Sequence, residues 1–171
     1  MQKRLSSRPV FQALEKDHRR SIRELNQFYE VLRNLRYEGK LHRGRNLELA
    51  RRLTEHFRTE LLEHMSQEEK VLFPFLNTYI PRLEPVVFHL SAEHADLRKT
   101  FKELQTAFAR VRRATPERLE ELCVRIHERG VYLICLLRSH MSVESQTLYD
   151  AADHELRSPE RERLLGLLAR G

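Results

Sequence analysis

The 171-residue chain is 40% hydrophobic, carries a formal net charge of +6 and contains two Cys. Its length suits one domain with a core that needs no disulfides, and its longest apolar run, at residues 131–137, is far shorter than the roughly 20 residues needed to span a bilayer. The basic start of the chain lacks the apolar stretch of a secretion signal, so we expect a cytoplasmic protein that is not inserted in a membrane.

Apolar residues at helical spacing predict four long helices. The predicted helices cover residues 9–36, 46–76, 85–113 and 115–150. Gly and Pro mark the three turns between them, which are YEGKLHRG (37–44), NTYIPRLEP (77–85) and ATPER (114–118). A further Ser-Pro-Glu start signal at residues 158–160 predicts a short amphipathic helix at the C-terminus.

Four long helices joined by short turns predict an all-α fold, namely an antiparallel up-down-up-down four-helix bundle with a short C-terminal helix. In this interpretation residues 1–9 are an N-terminal extension, residues 10–152 form the bundle and residues 153–171 contain the C-terminal helix. That helix is rich in Leu, with Leu164, Leu165, Leu167 and Leu168. It either caps the bundle or pairs with a second chain as a dimer, and the sequence leaves both alternatives open.

Two short segments repeat almost letter for letter. HMSQE at residues 64–68 and HMSVE at residues 140–144 are separated by 76 residues, and the same offset relates His18 to His94. We interpret this repeat as an internal duplication, which predicts that the two halves of the chain share one structure.

The repeated His residues are predicted to form one layer across the bundle. In an antiparallel helix pair, two residues at equal distance from the turn lie at the same height, and each pair of consecutive repeated His is centred on a predicted turn. The layer comprises one His from each helix, His18, His64, His94 and His140. Glu68 and Glu144 follow two of these His by one helical turn, on the same inward face.

This layer has the composition of a metal site. Taken singly, each residue is better explained as a satisfied core His or as one half of a surface ion pair. Four imidazoles and two carboxylates in one buried layer, however, must satisfy each other or hold a cation. Imidazole and carboxylate suit divalent metals, and two His for each half with two carboxylates able to bridge favours two ions over one. The residues alone do not distinguish iron from zinc or manganese.

Four segments of the chain carry a family resemblance. They are EKDH (15–18), HMSQEEKVLFP (64–74), SAEH (91–94) and HMSVESQTLY (140–149). As a set they resemble the hemerythrin-like domain of the HHE cation-binding family over roughly residues 10–152. The resemblance implies a non-haem di-iron centre with an oxo or hydroxo bridge. It places His18 and His64 on one iron and His94 and His140 on the other, with Glu68 and Glu144 bridging them.

The sequence departs from the oxygen-carrying members of the family at two points. Those members have a third His on the second metal, whereas the residues four positions either side of His94 are Leu90 and Arg98. They also use His-x-x-x-x-Asp on the last helix, where this chain has His-x-x-x-Glu. The departures argue against reversible oxygen carriage and leave open coordination positions on both irons.

Two residues beside the layer are predicted to support it. Glu60 lies one turn before His64, and Arg98 lies one turn after His94, at the same height. We expect a partly buried Glu60–Arg98 pair beside the metals, with an exposed pair between helices as the alternative. Glu60 itself, or His42 in the first turn, is a further candidate ligand.

Apolar residues flank the layer on both sides. On one side they are Leu25, Phe57, Phe101 and Leu133, and on the other Phe11, Val71 and Val87. We expect them to limit the access of water.

We predict a di-iron protein that reacts with or senses a small ligand such as oxygen, peroxide or nitric oxide. The alternative is a non-catalytic module for iron binding, sensing or storage, so the sequence leaves open whether the protein is an enzyme. The positive charge also raises nucleic acid as a partner, but the Arg pairs are scattered among acidic residues. A solvated helix surface explains this pattern better.

Overall fold

The computed structural model describes residues 9–38 and 40–169, with side chains described from residue 18 onward apart from residue 39. Seven α-helices lie in this part of the chain: α1 (Pro9–Tyr37), α2 (Arg43–Gln67), α3 (Phe73–Tyr79), α4 (Glu84–Val111), α5 (Pro116–Val143), α6 (Asp150–Glu155) and α7 (Ser158–Leu168). Two π-helical segments, Glu68–Leu72 and Glu144–Tyr149, and a 3₁₀ turn, Pro81–Leu83, join some of them. The described residues include no strand, and the predicted all-α class is confirmed.

Local sequence signals account for the helix boundaries. Thr115 caps α5 by accepting a hydrogen bond from the backbone N–H of Arg118 at 3.3 Å, and Pro116 occupies the first turn, where its missing N–H costs nothing. The helix predicted over residues 46–76 begins three residues earlier, at Arg43. The rest of this predicted helix is divided into α2, which ends at Gln67, the π-helical segment Glu68–Leu72 and α3. Pro74 lies in the first turn of α3.

The four long helices form a helical bundle. α1 packs against α2 and α5, and α4 packs against the same two helices, so each long helix has two neighbours. At Gly130 the backbone of α5 comes so close to α1 that an added Cβ would lie 2.5 Å from a Leu32 methyl carbon. None of the helices in the described ranges is long and apolar enough to cross a membrane.

Two apolar clusters make up the core. The larger one fills the space between α1, α2, α4 and α5, and includes Leu25, Phe57, Phe101 and Leu133, all at most 1% exposed. The second lies beneath α3, α6 and α7, and includes Leu72, Leu90 and Leu148. Along the chain, Glu68, His94 and Glu144 fall between residues of one cluster and residues of the other.

The C-terminal helix α7 covers the second cluster. Leu164 is fully buried, Leu165 and Leu168 pack against the cluster, and Leu167 is 38% exposed. The structure therefore shows the first of the two predicted alternatives, in which this helix caps its own bundle. A dimer through α7 stays a prediction.

Candidate metal centre

The six residues predicted as metal ligands converge between the two apolar clusters. Glu144 lies at the centre of the group, because its two oxygens reach imidazoles on different helices. Oε2 is 3.1 Å from Nε2 of His18, and Oε1 is 3.0 Å from Nε2 of His140. A single carboxylate thus links α1 to α5.

Glu68 plays the equivalent part in the other half of the chain. Its Oε1 lies 3.2 Å from Nε2 of His64, and its Oε2 lies 3.4 Å from Nε2 of His94. The Nε2 atoms of His94 and His140 are themselves 3.1 Å apart. All four His therefore direct Nε2 toward the two carboxylates.

The donor atoms fall into two groups that share one residue. Glu68, His94, His140 and Glu144 form the first group, and His18, His64 and Glu144 form the second; within each group the candidate ligand atoms lie within 4.8 Å of one another. This is an arrangement that can hold two cations side by side, with Glu144 between them.

Several of these atoms have no hydrogen-bond partner. Among the described residues, Nε2 of His18 and of His64, Oε2 of Glu68 and both oxygens of Glu144 are buried without one. They lie near opposite groups, at 3.0–3.4 Å, but the directions required for hydrogen bonds are not met. Buried polar atoms without a hydrogen-bond partner are costly. A divalent ion accepts imidazole nitrogen and carboxylate oxygen together, so the donor set fits a metal.

The Nδ1 atoms of three of these His, on the side of the ring away from the carboxylates, have partners of their own. Nδ1 of His94 lies 2.8 Å from Oε1 of Glu69, and Nδ1 of His140 lies 2.9 Å from Oε2 of Glu93. Nδ1 of His18 lies 3.2 Å from Oγ of Ser145. Such partners fix the ring orientation and the tautomer that presents Nε2 to a metal.

Sequence reasoning missed these partners, although the duplication contained the signal. Residues 69 and 145 are related by the same offset of 76, and they hold His94 and His18, which are related by it too. The same offset relates Asp17 to Glu93, the partner of His140. The side chain of Asp17 lies outside the described residues.

The predicted Glu60–Arg98 pair is wrong. Arg98 instead donates to both oxygens of Glu69, at 2.8 and 2.9 Å, and so supports His94 through that carboxylate. Glu60 lies 3.4 Å from Arg20 and 3.6 Å from His56. Equal distance from a turn fixes height along the bundle but not the direction around the helix axis, and position 60 faces the seam between α1 and α2.

The remaining candidate positions lie outside the group. His42 is exposed at the start of α2, the opposite end of that helix from His64. Of the residues predicted to shield the other side, Val87 is buried and Val71 is partly buried, while the side chain of Phe11 is outside the described residues.

Both carboxylates that are predicted to bridge begin a π-helical segment, Glu68 in the first and Glu144 in the second. A π-helical turn contains an extra residue and so rotates the following side chains relative to an α-helix, and such turns are frequent at functional sites. The two segments begin 76 residues apart, at the offset of the sequence repeat.

A cavity of about 280 Å³ reaches the group from the seam between α1 and α2. Arg20, Glu60 and Glu63 line its outer part, and His18, His64 and His140 line its inner part. His64 is 18% exposed, whereas His94 and Glu144 are fully buried. The second group is therefore the more accessible of the two.

The charges of the group perturb one another strongly. Burial alone would lower the pKa of His140, but the carboxylates of Glu144 and Glu93 outweigh it and raise this pKa to about 9. Burial also opposes charge on His64, and Glu68 raises its pKa above the usual range. For Glu144 burial would raise the pKa, yet His140 and His18 hold it well below its ordinary value.

Metal binding is expected to release protons at neutral pH. The pKa of about 9 means that His140 of the metal-free protein is protonated at pH 7, and a metal must displace that proton. Affinity should rise as the pH increases from 6 to 9. Titration with Zn²⁺ in two buffers of different ionisation enthalpy measures the protons released, and a value of zero would contradict this assignment.

The metal-free protein should follow the opposite trend in this range. The pKa of His140 is about 9 in the folded state and near 6.5 in the unfolded state. Its interactions therefore stabilise the fold fully at pH values below the unfolded-state pKa, and this stability is lost as the pH rises through about 9. The pKa of Glu144 is lower in the folded state than in the unfolded state. Its carboxylate therefore stabilises the fold at pH values above the unfolded-state pKa, and this contribution is lost as the pH falls through the folded-state pKa. Thermal melts of the chelated protein from about pH 6 to 9 measure the first effect, and melts at acidic pH, below the ordinary Glu value of about 4.3, measure the second.

Fold and site together define a class of protein: a helical bundle whose buried His and Glu residues can hold cations. The whole of residues 10–152 matches the family model described as the hemerythrin HHE cation-binding domain, and the chain belongs to this family. A comparison with curated proteins finds no match.

Proposed function

We propose that the protein holds a non-haem di-iron centre that reacts with or senses a small ligand such as oxygen, peroxide or nitric oxide. The observation that carries the proposal is the pair of donor groups that share Glu144, whose buried atoms lack hydrogen-bond partners. Family membership favours a cation at these residues. The antiparallel up-down-up-down bundle and a cytoplasmic location belong to the same proposal, and zinc or manganese would suit the same donors.

Each residue has a distinct part in the proposed site. His18 and His64 would hold one ion and His94 and His140 the other, with the carboxylates of Glu68 and Glu144 between them. Iron, when bound there, supplies one-electron redox chemistry toward the small ligand.

The surroundings determine what reaches the centre. The apolar cluster containing Phe57 and Phe101 excludes water from one side. The cavity next to His64 admits a small molecule from the other. Arg98 and Glu69 fix the imidazole of His94 from behind.

A second candidate function is supported by the way the ligands are distributed. They come from α1, α2, α4 and α5 and from the segments that follow two of these helices, so metal occupancy couples to folding of the whole bundle. A non-catalytic module for iron binding, sensing or storage would use this coupling without any turnover.

Metal analysis with an optical spectrum tests the centre itself. Protein from iron-supplied cells should contain about two irons per chain and show near-ultraviolet absorption that bleaches on anaerobic reduction. His140→Ala should lose the ion held together with His94, and with it the bands of the bridged pair. His154→Ala, which removes an exposed His bonded to its own helix backbone, is the matched control.

Addition of an oxidant separates the two candidate functions. Steady-state consumption of peroxide, or return of the bands with oxygen or nitric oxide, supports the reactive centre. A large metal-dependent melting shift without turnover supports the binding module. Metal content below about half an ion per chain, unchanged by His140→Ala, would exclude both.

A further inference from the structure

The outer end of the cavity carries a third cluster of charged side chains. Glu24 of α1 and Glu60 of α2 flank His56, whose Nε2 lies 3.3 Å from the first carboxylate and 3.6 Å from the second. One donor atom from each of the three lies within 4.8 Å of the others. Two carboxylates and one imidazole at this spacing are a donor set for a divalent cation.

A guanidinium group lies across this cluster. Nε of Arg20 is 3.0 Å from Glu24, and its Nη2 is 3.4 Å from Glu60. Arg20 thus supplies the positive charge that a cation would bring. Arg20 is 56% exposed and Glu60 is 45% exposed, so water screens the ion pair between them and a cation can displace it.

The cluster is connected to the buried site by the cavity. Glu60 belongs to the cluster and also lines the cavity, together with His64 and, at the inner end, His18. His18 is 6% exposed, and its Nε2 has no hydrogen-bond partner among the described residues. His18, whose Nε2 has no such partner, therefore lines the same cavity as Glu60 of the cluster.

We propose that Glu24, His56 and Glu60 form a transient metal-uptake site, from which a divalent ion passes through the cavity to His64 and His18. Arg20 occupies this site in the metal-free protein and is displaced by the incoming ion. The proposal rests on the proposed function, since it requires a metal centre at the inner end. In this proposal the seam between α1 and α2 increases the rate at which the protein takes up metal.

The rate of metal uptake tests the proposal independently of any activity. Protein stripped by chelation is mixed with Co²⁺, and the visible ligand-field absorption is followed in a stopped-flow instrument. Glu60→Gln should slow uptake by about threefold to tenfold, and Arg20→Gln should accelerate it by a similar factor, because charges lining a cleft steer ions toward it. The final cobalt content should stay that of the unmodified chain, since neither residue is a resident ligand.

Matched controls come from a second ion pair, at the start of α5. Arg118 and Glu121 form an exposed pair on that helix, and Arg118→Gln and Glu121→Gln should leave the uptake rate unchanged. The opposite effects of the two test variants should also shrink in about 1 M salt, where the Debye length falls to about 3 Å.

Three results would overturn the proposal, and they differ in what else they affect. Equal uptake rates in all five proteins would show that the cluster has no role, while leaving the metal centre intact. A lower final cobalt content in Glu60→Gln would make Glu60 a resident ligand instead. Absence of cobalt binding in the unmodified chain would remove the proposed function together with this inference.

Discussion

Replacing Glu144 by Gln is expected to remove both metal ions, whereas replacing His64 by Ala should leave about one ion per chain. The oxygens of Glu144 reach His18 on one side and His140 on the other, so both groups of donors depend on this carboxylate. His64 belongs to one group only. Loss of one resident ligand should weaken binding at its own position by at least about 100-fold, the upper range for loss of an outer partner.

Metal content by mass spectrometry after exhaustive dialysis distinguishes these outcomes, with His154→Ala as the unaffected control. Circular dichroism confirms that each variant keeps its helices. Equal metal contents in Glu144→Gln and His64→Ala would contradict the shared role of Glu144 and would indicate two independent sites or a single one.

Metal removal is expected to lower the melting temperature by about 8–16 °C. A metal present at about 1,000 times its dissociation constant stabilises the folded state by about 4 kcal/mol, and each kcal/mol shifts the melting temperature of a chain of this size by about 2–4 °C. The effect should concern the whole bundle, because the ligands come from all four long helices. Addition of metal should reverse it. Calorimetry before and after chelation measures it.

Glu144→Gln provides the decisive comparison for this shift. The variant should melt at one temperature with or without chelator, because both donor groups contain Glu144. An unmodified chain that melts at the same temperature with and without chelator would contradict metal-linked folding, whatever its iron content.

The position of the site could be predicted from the sequence because two simple regularities act together. The offset of 76 residues identifies equivalent positions, and the turns marked by Gly and Pro set the heights of His18, His64, His94 and His140. The structure brings these four His together with Glu68 and Glu144. Their role as metal ligands stays a prediction until an ion is measured.

The features that the sequence did not reveal depend on rotation about the helix axes. Glu60 and Arg98 were matched in height, but they point to different neighbours. The π-helical segments after residues 67 and 143 have no periodic signature, since one extra residue in a turn leaves the apolar pattern readable as α-helix on either side. The cavity likewise depends on how far α1 and α2 separate, which periodicity does not encode.

The two repeated segments differ in the groups that hold equivalent imidazoles. His94 is backed by the carboxylate of Glu69, while His18, its duplicate, is backed by the neutral hydroxyl of Ser145. A carboxylate partner makes an imidazole a stronger electron donor than a hydroxyl partner does. Two chemically identical ions would therefore differ electronically, and an added electron would be more stable on the ion beside His18.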